Sequence, residues 1–221
     1  MVNSASFAAG AAPGGLMSLY GIGLGSNWQS ASGGTASLAG ASIQVGGVSA
    51  AVPLFYASPT EVHFQMPFEA SGATTLTFIR EDGSATTVNV NVATAQPGLF
   101  TADGSGNGLA NARLADSSVL NESNPVNRGD VLTLYATGLG AVVTPVATGA
   151  AGDGTQACAN PVQVTVGDRV LTPDFAGLAA GVVGLYQISV RIPADLTATG
   201  DVPVKLTVAG ADSNSAIIAI R

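Results

Sequence analysis

His63 is the only histidine in the chain, so any catalysis that depends on an imidazole has to use it. A serine hydrolase places its nucleophile on a sharp turn and holds a carboxylate behind the imidazole. Ser58 and Glu61 are the nearest such partners in sequence, and no Gly-x-Ser-x-Gly elbow occurs anywhere. A catalytic group of His63, Ser58 and Glu61 is therefore an alternative. The surrounding alternation favours His63 as a solvent-facing residue of a strand.

A second group of oxygen-bearing residues lies in the glycine-rich stretch 103–108. Aspartate, serine and asparagine alternate there with glycine, as in the first half of a calcium-binding loop. The acidic residue expected at position twelve is replaced by Leu114. The possible calcium ligands are Asp103, Ser105, Asn107, the carbonyl of Leu109, and Asp116. The sequence predicts either weak Ca²⁺ binding or a flexible turn without a cofactor.

Three large aromatic residues form the remaining candidate site. Trp28, the only tryptophan, lies in a polar loop, and Phe55 and Tyr56 are adjacent in a short apolar segment. Aromatic rings of this kind can form a platform for a sugar ring. The alternative for Trp28, Phe55 and Tyr56 is packing in a buried core.

Cysteine usage excludes two kinds of site. A single cysteine, Cys158, cannot form an intrachain disulfide, and one cysteine with one histidine cannot build a structural zinc site. The polar neighbours of Cys158 predict an exposed loop with a free thiol.

The elements that position these residues must be short strands. The 221 residues include 29 glycines and 11 prolines, which would destabilise helices strongly. Only 10% of residues are charged and 47% are hydrophobic, which excludes a disordered chain. The net charge of −7, with seven scattered basic residues, argues against nucleic acid and anionic membranes as partners. No apolar run is long enough for a membrane span.

Four sequence segments recur in the same order in the two parts of the chain, which predicts an internal duplication. The matched segments are 18–25 and 133–140, 43–46 and 164–167, 62–67 and 188–193, and finally 76–92 and 204–220. Several of them alternate apolar and polar residues with period two, as half-buried strands do. With roughly seven strands in each part, we expect an all-β protein of two tandem immunoglobulin-like β-sandwiches. The predicted boundaries are 1–96 for the first sandwich, 97–125 for a glycine-rich junction with a hairpin, and 126–221 for the second.

The chain also resembles a known family over essentially its whole length. The motifs are Val2–Phe7, Tyr56–Glu61, Ala95–Phe100, Tyr135–Gly140, Phe175–Leu178 and Gly184–Ile188. Together they resemble the Solibacter-type C-terminal domain found at the ends of large secreted acidobacterial proteins. The resemblance implies tandem sandwiches related to the IPT/TIG immunoglobulin-like group, and it implies secretion. It implies no catalytic residue.

These observations lead to an expected function. We expect a non-catalytic extracellular or cell-surface module that binds glycans or proteins, or that spaces another part of a larger secreted polypeptide. Residues Met1–Phe7 lack the basic start and apolar core of a signal peptide. The alternative is a small hydrolase of an ester, lactone or glycan, with or without a dependence on calcium.

Overall fold

A computed structural model describes residues 1–221 and confirms the prediction of an all-β protein. Strands and turns account for its regular structure, and it contains no helix. None of its segments is therefore a helix long and apolar enough to cross a membrane.

The strands divide between two parts of the molecule, here called the first half (residues 1–94) and the second half (residues 95–221). The first half contains β1 (Val2–Asn3), β2 (Leu16–Tyr20), β3 (Gln29–Thr35), β4 (Ser42–Val45), β5 (Leu54–Ala57), β6 (Glu61–Gln65), β7 (Gly72–Ile79) and β8 (Ala85–Val92). The second half contains β9 (Gly98–Leu99), β10 (Ala112–Leu114), β11 (Val131–Thr137), β12 (Val162–Val166), β13 (Arg169–Leu171), β14 (Phe175–Leu178), β15 (Tyr186–Arg191), β16 (Gly200–Val208), β17 (Ala211–Asp212) and β18 (Ala216–Ile220).

Each half stacks two antiparallel sheets. The sheets of the first half have the orders β1-β2-β6-β5-β3 and β4-β7-β8. Those of the second half have the orders β10-β11-β15-β14, with β9 also on β11, and β13-β12-β16-β17, with β18 also on β16. The inward side chains of both sheets meet in one core per half, for example Phe64 with Leu76 and Ile188 with Leu206. This arrangement is the predicted β-sandwich.

Strand order and register agree between the halves. The order β2-β6-β5 corresponds to β11-β15-β14, and β4-β7-β8 corresponds to β12-β16-β18. Matching Cα pairs are Ser18–His63 and Thr133–Ser189, Ile43–Phe78 and Val164–Leu206, and Leu76–Val88 and Val204–Ala216. These matches define equivalent positions below. A common origin by duplication stays a prediction.

The segment 97–125, predicted as a junction, packs into the core of the second half. Leu99, Ala110, Ala112 and Leu120 are buried there. The predicted hairpin is present, because Leu114 donates its N–H to the carbonyl of Ser118 and Arg113 bridges to Val119. The segment is thus part of the second sandwich rather than a free connector.

Buried polar groups join the two halves. The Thr137 hydroxyl accepts a hydrogen bond from Leu16 N (2.8 Å) and donates one to the carbonyl of Gly184 (2.9 Å). Gln65 Oε1, also buried, accepts from Gly149 N at 2.8 Å. Breaking such contacts would leave buried groups without partners, which is costly. The halves therefore hold a fixed relative position.

Candidate functional site

The candidate site lies on the outer side of sheet β2-β6-β5-β3, where a bulge changes the side-chain pattern. Leu54 pairs with Phe64 and Tyr56 pairs with His63, so Phe55 is one extra residue on β5. A bulge bends its strand and re-aims the side chains around it. Phe55 and Tyr56 are consequently both half-buried at the surface instead of pointing to opposite sides.

Three rings follow one another across this surface. Trp28 is 77% exposed, and its ring centroid lies 6.1 Å from that of Tyr56, with the planes at 87°. The Tyr56 ring lies 5.1 Å from the His63 ring. Exposed aromatic rings are an unusual feature for a soluble surface and offer apolar contact area. The perpendicular planes form a corner, which differs from the flat platform suggested by the sequence.

The loop that carries Trp28 is anchored on both sides. Gln29 Oε1 accepts a hydrogen bond from Ala39 N (2.9 Å), and the Ser26 hydroxyl donates to the carbonyl of Ala39 (3.1 Å). Gln29 also begins β3, which pairs with β5 at Ala57. Trp28 therefore stands next to Tyr56 because of local hydrogen bonding and sheet pairing.

Polar groups continue the row of rings. His63 Nε2 lies 2.5 Å from Glu61 Oε1, and the imidazole N–H donates to the carboxylate. Both side chains are partly exposed, at 39% for His63 and 27% for Glu61. The pKa of the Tyr20 hydroxyl is raised above its ordinary value, mainly by partial burial and to a smaller extent by a hydrogen bond with Glu61. The site thus combines a carboxylate with hydroxyl and imidazole groups beside the rings.

A hollow of about 320 Å³ opens next to His63 at the boundary between the halves. Phe55 and Ser32 line it from the first half, and Phe100 and Val182 line it from the second. Phe100 and Val182 also line a neighbouring hollow of about 480 Å³ over Tyr135 and Gln187. The two hollows therefore adjoin at Phe100 and Val182, and His63, whose ring lies beside that of Tyr56, lines the first of them.

The structure brings together only part of the predicted catalytic group. Ser58 is buried, and its hydroxyl is hydrogen-bonded to the main chain of Thr60 and Glu61. Its role is to stabilise the turn before β6. A serine engaged in this way is not aligned as a nucleophile for His63. The prediction that His63 faces solvent agrees with the structure, and Glu61 is its hydrogen-bond partner.

The residues considered for calcium lie in two separate turns. Asp103 Oδ1 accepts from Ser105 N at 3.0 Å, and the Ser105 Oγ atom lies 2.8 Å from Asp103 Oδ1 and 2.9 Å from Asn107 Oδ1, so that its single hydrogen is shared between these two acceptors. These hydrogen bonds lower the pKa of Asp103. Asp116 instead accepts from Ser118, and the carbonyl of Leu109 accepts from Ala102. Calcium binding by this loop stays a prediction based on one exposed carboxylate.

Cys158 differs from its sequence prediction. The residue is half-buried rather than exposed, and its main chain pairs with Val142 and Ala176. Burial raises the pKa of the Cys158 thiol to about 12. A thiol with this pKa is a poor nucleophile at neutral pH.

Comparisons with known proteins give no family assignment. No protein-family model matches the chain. No curated protein matches it either.

Solved structures with a likeness to the chain include a Bacteroides ovatus glucan-locus protein and two others. The first is SGBP-B of the mixed-linkage glucan utilization locus, solved with a mixed-linkage heptasaccharide (TM-score 0.35, 13% identity, 96% of this chain and 43% of that one). The others are the BSP domain of a biofilm associated protein (0.26, 12%, 81% and 25%) and an endo-fucoidan hydrolase of glycoside hydrolase family 107 (0.20, 14%, 82% and 23%). The chain spans less than half the length of each, and scores this low carry no argument about function.

Proposed function

We propose that the protein is a non-catalytic, extracellular binding module that holds a neutral glycan in the corner formed by Trp28 and Tyr56. The observation that carries the proposal is the row of rings formed by the exposed Trp28 and the half-buried Tyr56 and His63, which ends at the carboxylate of Glu61. The resemblance described from the sequence motifs adds the expectation of secretion.

Sugar rings suit this surface because they have apolar C–H faces and polar edges. The C–H face of a pyranose can pack on Trp28, with a second contact to the perpendicular ring of Tyr56. Glu61 can accept hydrogen bonds from sugar hydroxyls, and bonds to a charged acceptor are the stronger kind. The corner geometry favours a chain end or a bent chain over a flat ribbon.

Charge narrows the class of glycan. The protein has a net charge of −7, and the carboxylate of Glu61 lies in the site. Anionic polysaccharides would be repelled at low ionic strength. Neutral polysaccharides are therefore the proposed ligands, presented by a cell surface or by the surroundings of a larger secreted polypeptide.

The second candidate function is a hydrolase acting through His63 and Glu61. The 2.5 Å contact between His63 Nε2 and Glu61 Oε1 would orient the imidazole as a general base. The engagement of the Ser58 hydroxyl in the turn removes the serine nucleophile that the sequence offered for this pair. Turnover of ester, lactone or glycan substrates that is lost in His63→Ala, with the fold retained, would favour this candidate over a binding module.

Affinity electrophoresis of the full chain in gels containing neutral or acidic polysaccharides tests the proposal. Retardation is expected with at least one neutral polysaccharide and not with pectin or alginate. Trp28→Ala and Tyr56→Ala should each weaken that binding by roughly tenfold to a hundredfold, as removal of central aromatic contacts does.

A matched control lies on the second half. Phe175 of β14 pairs with Ser189 of β15, just as Tyr56 of β5 pairs with His63 of β6, so Phe175 is the residue equivalent to Tyr56. Phe175→Ala should leave the retardation unchanged. Absence of retardation with every polysaccharide, or equal loss in Phe175→Ala and Tyr56→Ala, contradicts the proposal.

A further inference from the structure

A hairpin of residues 97–111, distinct from the one at residues 112–120, covers one edge of the second sandwich. In it, Ala102 N donates to the carbonyl of Leu109 and Asn111 N donates to the carbonyl of Phe100. Ile217, in β18, donates its N–H to the carbonyl of Gly108 (3.0 Å) and accepts from Ala110 N (2.7 Å). Leu109, between these residues, forms a parallel bridge with Ile217. The outward main-chain groups in the middle of β18 are therefore satisfied.

The same hairpin also closes the gap between the two sheets of that sandwich. Leu99 pairs with Ala136 at the end of β11 and is fully buried in the core. The side chain of Asn214 fixes the hairpin by hydrogen bonds. Its Oδ1 accepts from Leu99 N, and its Nδ2 donates to the carbonyls of Leu99 and Gly106. One hairpin thus pairs with a sheet edge and fills the space between the sheets.

The equivalent side of the first half is open. Ile22, at the position equivalent to Thr137, is 90% exposed, and Val88, equivalent to the buried Ala216, is 46% exposed. They line a hollow of about 200 Å³ together with Leu24 and Phe78. Arg80 closes the end of this hollow near the β7–β8 turn, donating to the carbonyl of Gly23 and to the Thr86 hydroxyl.

The edge strand β8 offers free pairing groups beside that hollow. Arg80 N donates to the carbonyl of Ser84, which fixes the hydrogen-bonded pairs of the β7–β8 ladder. Because such pairs alternate in an antiparallel ladder, the main-chain groups of Thr87 and Asn89 point away from β7. The end of the strand is already paired, since Val92 forms a parallel bridge with Ala11. β8 pairs regularly over eight residues and carries no charge or proline. Natural edge strands usually carry such features to block pairing.

We propose that the open side of the first half is a docking site for a partner hairpin of the same chemistry as residues 97–111. Such a hairpin pairs with the edge of β8 at Asn89, the position equivalent to Ile217. It also places a leucine-sized side chain in the hollow lined by Ile22 and Val88. This is strand addition, with main-chain hydrogen bonds giving affinity and one apolar pocket giving specificity.

The chain's own contacts favour a hairpin over a second copy. Symmetric pairing of two β8 edges would extend the sheet but would put no side chain between β2 and β8. A second copy is also disfavoured as a partner that packs through its second half in the way that the first half packs on the second half here. In that arrangement Arg191, which is charged and exposed, would take the place of Gln65, the equivalent residue that packs against the second half.

A graft onto the full chain tests the proposal. Residues 97–111 are fused directly before Met1. Val2 pairs with Ser18 as Arg113 pairs with Thr133, so Val2 and Arg113 are equivalent. The last residue of the graft, Asn111, therefore leads into β1 in the same register in which it leads into β10. Tethering makes the contact intramolecular and removes the concentration requirement. Amide exchange of Thr87 and Asn89 should slow roughly tenfold or more, and the Tm should rise.

Two controls sharpen the outcome. A graft carrying Leu99→Ser and Leu109→Ser should lose the protection, as should the unmodified graft on an Asn89→Pro chain. Unchanged exchange and Tm in the grafted protein overturn the proposal. Concentration-dependent dimerisation of the unmodified chain that Asn89→Pro abolishes also overturns it, since a second copy would then occupy the edge.

Discussion

The two halves share one framework but present opposite surfaces. By strand register, the first half has Tyr56, His63 and Glu61 at the positions where the second half has Phe175, Ser189 and Gln187, respectively. The open side of the first half corresponds to a side of the second half that is filled by its hairpin. The comparison teaches that strand order and register fix where side chains stand, while the residues at those positions decide what a sandwich can bind.

The largest expected effect concerns the filled side of the second half. Leu99→Ala leaves a cavity between its sheets and should lower the free energy of unfolding by about 2–5 kcal/mol. Ile22→Ala, on the open side of the first half, should change it by no more than about 0.5 kcal/mol. Urea denaturation of both variants makes the measurement. Similar losses in both would contradict the described difference between the sides.

A pair of glycines gives the next largest difference. Gly138 and Gly23 are equivalent and have φ of 74° and 65°, so alanine is strained at both. A Cβ at Gly138 would clash with the carbonyl of Gln96, whereas at Gly23 it would meet open space. Gly138→Ala should therefore be less stable than Gly23→Ala by about 1–3 kcal/mol. Equal thermal unfolding of the two variants would show that the carbonyl of Gln96 does not pack against Gly138.

The fold could be predicted from the sequence because alternation and repetition leave little choice. The period of two in Val62–Met66 assigned His63 to the outside, and the recurring segments indicated the shared registers. The β5 bulge was not predictable, since Leu54–Ala57 contains no glycine or proline to mark an irregularity. A regular strand would place the side chains of Phe55 and Tyr56 on opposite sides of the sheet. That Tyr56 lies beside both His63 and Trp28 could therefore not be inferred from the sequence.

The covering of β18 was equally hidden from the sequence. The stretch 103–108 has the composition of a flexible connector, and Leu109 lies out of phase with the alternating Ala110, Ala112 and Leu114. Its position depends on long-range main-chain hydrogen bonds with Ile217, which no local pattern encodes. The partial burial of Cys158 has the same origin, because polar neighbours in sequence do not show which strands pack around a residue.

Acid should affect the second half more than the first. Hydrogen bonds or ion pairs lower the pKa of one aspartate in the first half and of five in the second, namely Asp82 against Asp103, Asp116, Asp153, Asp195 and Asp212. A carboxyl with a lowered folded-state pKa contributes stability above its unfolded pKa and loses it as pH falls through the folded value. Hydrogen exchange corrected for intrinsic rates should show that second-half protection declines first below about pH 4.

A variant serves as the control for this acid effect. Arg169 is the main cause of the lowered pKa of Asp195. Arg169→Gln should therefore flatten part of the pH dependence in the second half and leave the first half unchanged. Parallel loss of protection in both halves would contradict the assignment.

The smallest expected effect is that of calcium on the hairpin loop of the second half. Weak binding at Asp103 would raise the Tm in millimolar CaCl₂ relative to EDTA by no more than about 2–4 °C. The rise should be absent with MgCl₂ and in Asp103→Asn, because calcium accepts irregular oxygen ligands more readily than magnesium does. Identical Tm values in all conditions would identify the loop as a structural turn only.

The emission of Trp28 tests the binding site most directly, since Trp28 is the only tryptophan and stands in the proposed corner. Titration with the neutral polysaccharide identified by gel retardation should change the emission saturably in the unmodified chain and in Phe175→Ala. The same titration of Tyr56→Ala should require roughly tenfold more ligand. Constant Trp28 emission at glycan concentrations that saturate retardation, or no binding of any neutral glycan, would contradict the account.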